Sequence, residues 1–68
     1  MQELHVRGEY IKLGQALKAA DIVETGGEAK DEILAGLVRV NGEICTQRGK
    51  KLYPGDEVSY GEEILRIL

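Results

Sequence analysis

Apolar residues recur at two different periods along this chain, and the change of period divides it into a helical part and a sheet part. Leu13, Ala16, Leu17 and Ala20 stand at i, i+3, i+4 and i+7, the spacing that places side chains on one face of a helix. Lys12, Gln15 and Lys18 fall away from that face. A break spans Asp21 to Gly27, and within it Thr25-Gly26-Gly27-Glu28 fits a capping box, in which Thr25 accepts the Glu28 amide hydrogen and Glu28 reaches back. The second helix is then expected from about Gly26 to Ala35, with Ala29, Ile33 and Leu34 inward and Gly36 ending it in a left-handed conformation. Two short helices joined by so tight a break make a helix-turn-helix-like pair.

Beyond Gly36 the helical period is lost. Leu37-Val38-Arg39-Val40 and Glu43-Ile44-Cys45-Thr46 flank Asn41-Gly42, a dipeptide that tolerates the two positive φ angles of a type I′ hairpin turn. A two-residue loop would pair Val40 with Glu43 and Arg39 with Ile44, mixing apolar and charged residues on each face, so the pattern leaves this register open. Gln47 to Lys51 reads as a loop, Pro54-Gly55 as the centre of a type II turn, and Glu57 to Tyr60 and Glu63 to Leu68 as two more short strands. Residues 2–7 form a short leading strand or extended arm. The expectation is an α+β domain over residues 1–68, with two short helices packed on a small, mostly antiparallel sheet of four to five short strands.

Composition limits what such a domain can do. A chain of 68 residues buries only about 60% of the surface its unfolded form exposes, so the core is thin and a deep pocket is not expected. There is no Trp or Phe, and the aromatic residues are Tyr10, Tyr53 and Tyr60. With one cysteine, Cys45, and one histidine, His5, the chain can form no internal disulfide and cannot supply the three or four ligands of a zinc site. No metal or cofactor is implied, and Cys45 reads as a small buried hydrophobe. No nucleophile, base and orienting group can be assembled, so an enzyme is not expected. No apolar run approaches signal-peptide length or the roughly 20 residues of a membrane span, and a cytoplasmic location is expected.

The net charge of −3 conceals an uneven distribution. Arg39, Arg48, Lys50 and Lys51 against Glu43 give residues 39–53 a local balance of +3, whereas Asp56, Glu57, Glu62 and Glu63 against Arg66 give residues 54–68 a balance of −3. A patch of a few like charges attracts phosphate within a Debye length of about 8 Å, whatever lies on the far face. Arg48, Lys50 and Lys51 surround Gly49, and arginine grips phosphate bidentately while lysine acts as a mobile point charge.

Several of these features fall into one larger pattern. Lys12-Leu13 with Leu17 is similar to the basic-Leu motif in the first helix of the RNA-binding domain named for the fourth small-subunit ribosomal protein, the S-four domain or αL motif. Thr25 with Ala29 resembles the Ser and Ala that open that family's second helix, and Gly36-Leu37-Val38-Arg39-Val40-Asn41-Gly42 resembles its G-x-V-x-V-N-G run. Leu52 and Gly55-Asp56 close the pattern, which covers residues 12–58. The family occurs as an accessory domain in ribosomal proteins, pseudouridine synthases, tyrosyl-tRNA synthetases and a heat-shock protein, and as small free-standing bacterial proteins, which this chain resembles most.

The resemblance implies binding of structured RNA, ribosomal or tRNA-like, through phosphate contacts and helix shape. It implies that Lys12 and Lys30, near the two helix starts, line one groove, and that Arg39, Arg48, Lys50 and Lys51 add to it. Two positions depart from the family pattern: Gly14 stands where many members carry an acidic residue, and Gly26 where they carry an arginine. Loss of that arginine shifts the contacts toward the hairpin and the Arg48–Lys51 loop. Tyr53 either stacks on a base or packs beside Pro54.

Two other readings belong to different classes. The acidic C-terminal segment suits a protein-interaction module at the ribosome, with a ribosomal or RNA-processing protein as partner. V-N-G-E followed by P-G-D-E-V also occurs in β-grasp sulfur carriers, but those end in Gly-Gly whereas this sequence ends Arg66-Ile67-Leu68. A monomer without membrane contact is expected on any of these readings.

Overall fold

Three of the four residues read along the face of the first helix, Leu13, Ala16 and Leu17, retain no exposed surface, and the fourth, Ala20, is half-buried at the C-cap. They belong to a computed structural model that describes all of residues 1–68. Its elements are β1 (Gln2–Leu4), β2 (Ile11–Lys12), α1 (Leu13–Ala19), α2 (Gly26–Leu34), β3 (Val38–Val40), β4 (Glu43–Ile44), β5 (Lys51–Leu52), β6 (Glu57–Tyr60) and β7 (Glu63–Ile67). Five strands form a mixed sheet in the order β1-β7-β6-β3-β4, and β2 and β5 form a separate two-stranded ribbon. The α+β class, with two short helices and a small sheet, is as the sequence pattern implies.

The helix ends follow from local chemistry. The Gln15 side chain accepts the Lys12 amide at 3.3 Å where α1 begins. In α2 the Thr25 hydroxyl accepts the Glu28 amide at 3.0 Å, but the Glu28 carboxylate reaches the Glu24 amide, at 3.1 Å, rather than that of Thr25. Gly36, at φ 77°, closes α2 in a Schellman turn, in which its amide bonds the Ile33 carbonyl and the Leu37 amide bonds the Glu32 carbonyl. Leu34 does not point inward as the helical pattern suggests; it is 59% exposed. One residue beyond Ile33 it is rotated about 100° from it, and Ala29 and Ile33 alone bring α2 into the core. Val23, in the break between the helices, is buried instead.

The sheet supplies the other half of the core. Val38 and Val40, Val58, and Leu65 and Ile67 are buried along their strands, the period of two that aims alternate side chains at one face. The hairpin takes the simple two-residue register, Val40 opposite Glu43 and Arg39 opposite Ile44, with Asn41 at φ 52° and Gly42 at φ 86°. The mixed faces are tolerated because β4 is a two-residue edge strand exposed along its length. Cys45, just beyond it, is only half-buried, its Sγ 3.7 Å from the Gln47 carbonyl. The leading strand is shorter than residues 2–7 and pairs parallel to β7, Gln2 opposite Leu65 and Leu4 opposite Ile67. Lys51 lies in a strand, not in the loop assigned from sequence.

Two turns are locked together by the Asn-Gly and Gly-Asp motifs. The Asp56 amide bonds the Tyr53 carbonyl at 2.9 Å across Pro54-Gly55, with Gly55 at φ 102°. The Asp56 carboxylate accepts the Tyr53 amide at 2.8 Å and the Asn41 side-chain amide at 3.1 Å. Asn41 in turn accepts the Glu57 amide at 2.9 Å through its side chain and donates its own amide to the Glu57 carbonyl at 2.7 Å. At the other end of β6 the Tyr60 hydroxyl donates to the Glu32 carboxylate at 3.0 Å, joining β6 to α2.

Each of these locks has a measurable consequence. Asn41→Ala removes two side-chain hydrogen bonds and is expected to cost about 2 kcal/mol in urea unfolding. A double-mutant cycle with Asp56→Ala should show coupling above about 0.5 kcal/mol; additive losses would mean that the two turns are independent. The hydrogen bond to Glu32, then burial, then the charges of Glu32 and Glu28 raise the Tyr60 phenol above its ordinary pKa of 10.0. The folded state therefore holds this proton more tightly than the unfolded chain. The contribution is complete below pH 10 and is lost as pH rises through the folded value, so alkaline unfolding of Tyr60→Phe should lack that part of the pH dependence.

Candidate nucleic-acid interface

The β2–β5 ribbon decides where the basic residues go. Ile11 lies opposite Leu52 and Lys12 opposite Lys51. The pairing continues into the helix, where the Leu13 amide donates to the Lys50 carbonyl at 2.8 Å and the Gly14 amide to the Arg48 carbonyl at 3.1 Å. These are the first amides of α1, which have no carbonyl within the helix to bond. The loop carrying Arg48, Gly49 and Lys50 is thereby strapped across the start of α1, anchored by fully buried Leu13 and Leu52.

Beside this strap lies a groove of about 350 Å³, lined by Lys12, Gly14, Gln15, Lys18, Gly26, Arg48 and Gly49. Three of these residues are cations and none is a carboxylate. Gly14 makes the approach possible: a Cβ there would lie 2.7 Å from Cγ of Arg48, closer than side chains pack. The departure from the family pattern at Gly14 thus has a steric reason. Gly26 opens the second helix onto the same groove, with no side chain between the helix start and anything the groove holds. Across the ribbon, Lys12 and Lys51 are direct antiparallel partners, and like charges so placed oppose pairing. Lys51 turns its ammonium over the Tyr10 ring, 4.9 Å from the centroid, while Lys12 faces the groove.

The residues singled out from sequence are therefore not all in one place. Lys12 and Arg48 share the groove. Lys50 lines a neighbouring concavity of about 390 Å³ with Asn41, Thr46 and Gln47, and this one also contains Glu43. Lys51 sits on the flank of the ribbon. Arg39 alternates with the buried Val38 and Val40, so it faces away from the core side of the sheet, and its guanidinium donates to the Gly42 carbonyl at 3.2 Å. Lys30 is exposed on α2 and is not among the groove residues.

Lys18 and Gln15 belong to the groove, although the sequence pattern placed them only away from the apolar face of the first helix. A signal for both was present. Gly14 and Lys18 are four residues apart and Gln15 and Lys18 three apart, on the helix face opposite the apolar one. The one ion pair, Arg66 with Glu57 at 3.5 Å, involves none of the groove cations.

Comparison with known proteins gives two findings. The model of the S4 domain family matches residues 4–68. A protein of Bacillus subtilis (strain 168), named "Probable ribosome maturation protein RlbA", is 50% identical over 50 residues, which make up 74% of this chain and 70% of the relative.

The steric argument at Gly14 is open to test. Gly14→Ala should keep the domain folded, with up to about 1 kcal/mol gained from helix propensity, while pushing Arg48 out of place. In nitrogen-15 NMR the Arg48 side-chain resonance should move, and the amide of Val58, buried in the sheet away from the strap, should not. An unmoved Arg48 signal would refute the contact.

Proposed function

The chain belongs to the S4 domain family, and from that premise we propose that it binds structured RNA by seating backbone phosphates in the groove formed by Lys12, Lys18, Arg48 and the start of α2. The observation that carries this reading is the groove's composition: three cations, two helix starts and no carboxylate. An anion in the groove relieves for Lys12 the repulsion from Lys51, its partner across the ribbon. Arg48 supplies a planar fork for phosphate oxygens and the lysines supply mobile point charges. The amides at the start of α2 favour negative charge as well.

Such contacts position an RNA and carry little sequence information. A rigid helix pair with a strapped loop reads the spacing of phosphates, which in A-form RNA reports duplex shape. The relative's name concerns ribosome maturation, so ribosomal RNA is the first class of ligand to test, ahead of tRNA-like folds. Lys50, in the adjoining concavity, extends the positive surface beyond the strap. Lys30 and Arg39 contribute through the general field and not through the groove.

A second, compatible reading is a protein contact elsewhere on the surface. Leu37, Tyr60, Gly61, Glu62 and Glu63 line a cleft of about 510 Å³, and Leu34 and Leu37 are exposed. An acidic, partly apolar cleft of this kind suits a basic segment of a ribosomal protein. It shares no residue with the groove.

Binding to ribosomal RNA fragments should weaken with salt at a log-log slope of about −2 to −3 if three phosphates are neutralised. Arg48→Ala or Lys12→Ala should each weaken binding and reduce that slope by about one unit. Glu62→Lys should leave it unchanged. A salt-independent titration, or equal slopes in wild type and Arg48→Ala, would rule the groove out.

A further inference from the structure

Resting on the RNA-binding reading, we infer that the domain also holds one unpaired nucleobase, stacked on the Tyr10–Tyr53 pair beside the phosphate groove. Two of the three aromatic residues in the chain lie side by side at the surface, ring centroids 6.0 Å apart and tilted by 53°. Tyr10 is 37% exposed and Tyr53 47%. Neither ring belongs to the buried core or to the residues packed against it. The third ring, Tyr60, is tied to Glu32 by its hydroxyl.

The surroundings suit a base attached to a bound phosphate. Tyr10 lines a cavity of about 580 Å³ with Leu4, His5, Arg7, Ile11, Gln15 and Ala19, and no carboxylate is among them. Gln15 lines this cavity and the phosphate groove alike, so the two adjoin across a single side chain. Lys51, above the Tyr10 ring, is the cross-strand partner of groove residue Lys12.

A strand whose phosphate sits against Lys12 and Arg48 therefore has an aromatic, cation-flanked recess one residue away. A base within a duplex cannot enter it, whereas an unstacked base presents its face to Tyr10, with Tyr53 alongside, and its edge to Arg7, His5 and Gln15. Stacking on aromatic side chains accepts any base, because each has a π-face. The ligand is then a duplex interrupted by a bulge or ending in an unpaired nucleotide.

The test compares two RNA probes, a fully paired hairpin and the same hairpin carrying a single bulged adenosine. The wild-type protein should prefer the bulged probe by about tenfold or more, the effect of one stacked base. Tyr53→Leu and Tyr10→Leu should erase the preference and leave affinity for the paired hairpin unchanged, while Tyr53→Phe should keep it. If Tyr10→Leu proves unfolded by urea titration, Tyr53→Leu, at the more exposed ring, decides the matter. Equal wild-type affinity for the two probes, or a preference surviving in Tyr53→Leu, would overturn the stacking site and leave the groove standing. Failure to bind either probe would overturn both.

Discussion

The backbone pairing of Ile11–Gly14 with Arg48–Leu52 is the constraint on which the remainder of the surface depends. It joins a segment before the first helix to one that lies after the second, across more than half the chain. It is anchored by Leu13 and Leu52, which retain no exposed surface, and at its helix end the amides of Leu13 and Gly14 donate to the carbonyls of Lys50 and Arg48. Without that pairing the basic loop would be a flexible excursion. With it, Arg48 lies across the start of α1 at a fixed height, resting where Gly14 has no side chain.

The same pairing explains how a chain of net charge −3 carries a cationic site. Cations from two separated stretches, Lys12 and Lys18 on one and Arg48 on the other, meet around one groove, whereas carboxylates such as Glu62 and Glu63 gather at the β6–β7 turn. Screening at physiological salt confines each field to about 8 Å, so the acidic end does little to cancel the groove. The opposition of Lys12 and Lys51 works against the ribbon's own stability, and the burial of Leu52 offsets it.

A different device holds the other end of the sheet. The Asn41 and Asp56 side chains satisfy each other and the backbone of both turns. This gives physical content to the V-N-G and G-D elements by which the family resemblance is recognised. These residues do not line the cationic groove; they keep β3 and β6 in register so that Val38, Val40 and Val58 close the core beneath the helices. Arg39, between two of those valines, is carried to the other face by the same alternation.

The sequence by itself determined the helix pair, the Thr25 cap, the Asn-Gly and Pro-Gly turns and the helical half of the core, because these depend on residues within about four positions of one another. Thr25, Gly36 and Asn41 act on their immediate neighbours, and their roles were legible for that reason. Leu34 was misplaced because periodicity sets the phase of a helix face but not its width, which depends on what the face meets. The parallel pairing of β1 with β7, the Ile11–Leu52 ribbon and the meeting of Lys12 with Arg48 join positions tens of residues apart, where no local pattern reaches. The basic loop was visible as charge, but its partition into a groove holding Arg48, a neighbouring concavity holding Lys50 and a flank holding Lys51 was decided only by tertiary structure. Strand alternation sends adjacent side chains to opposite faces, and the strap determines which of them faces the groove.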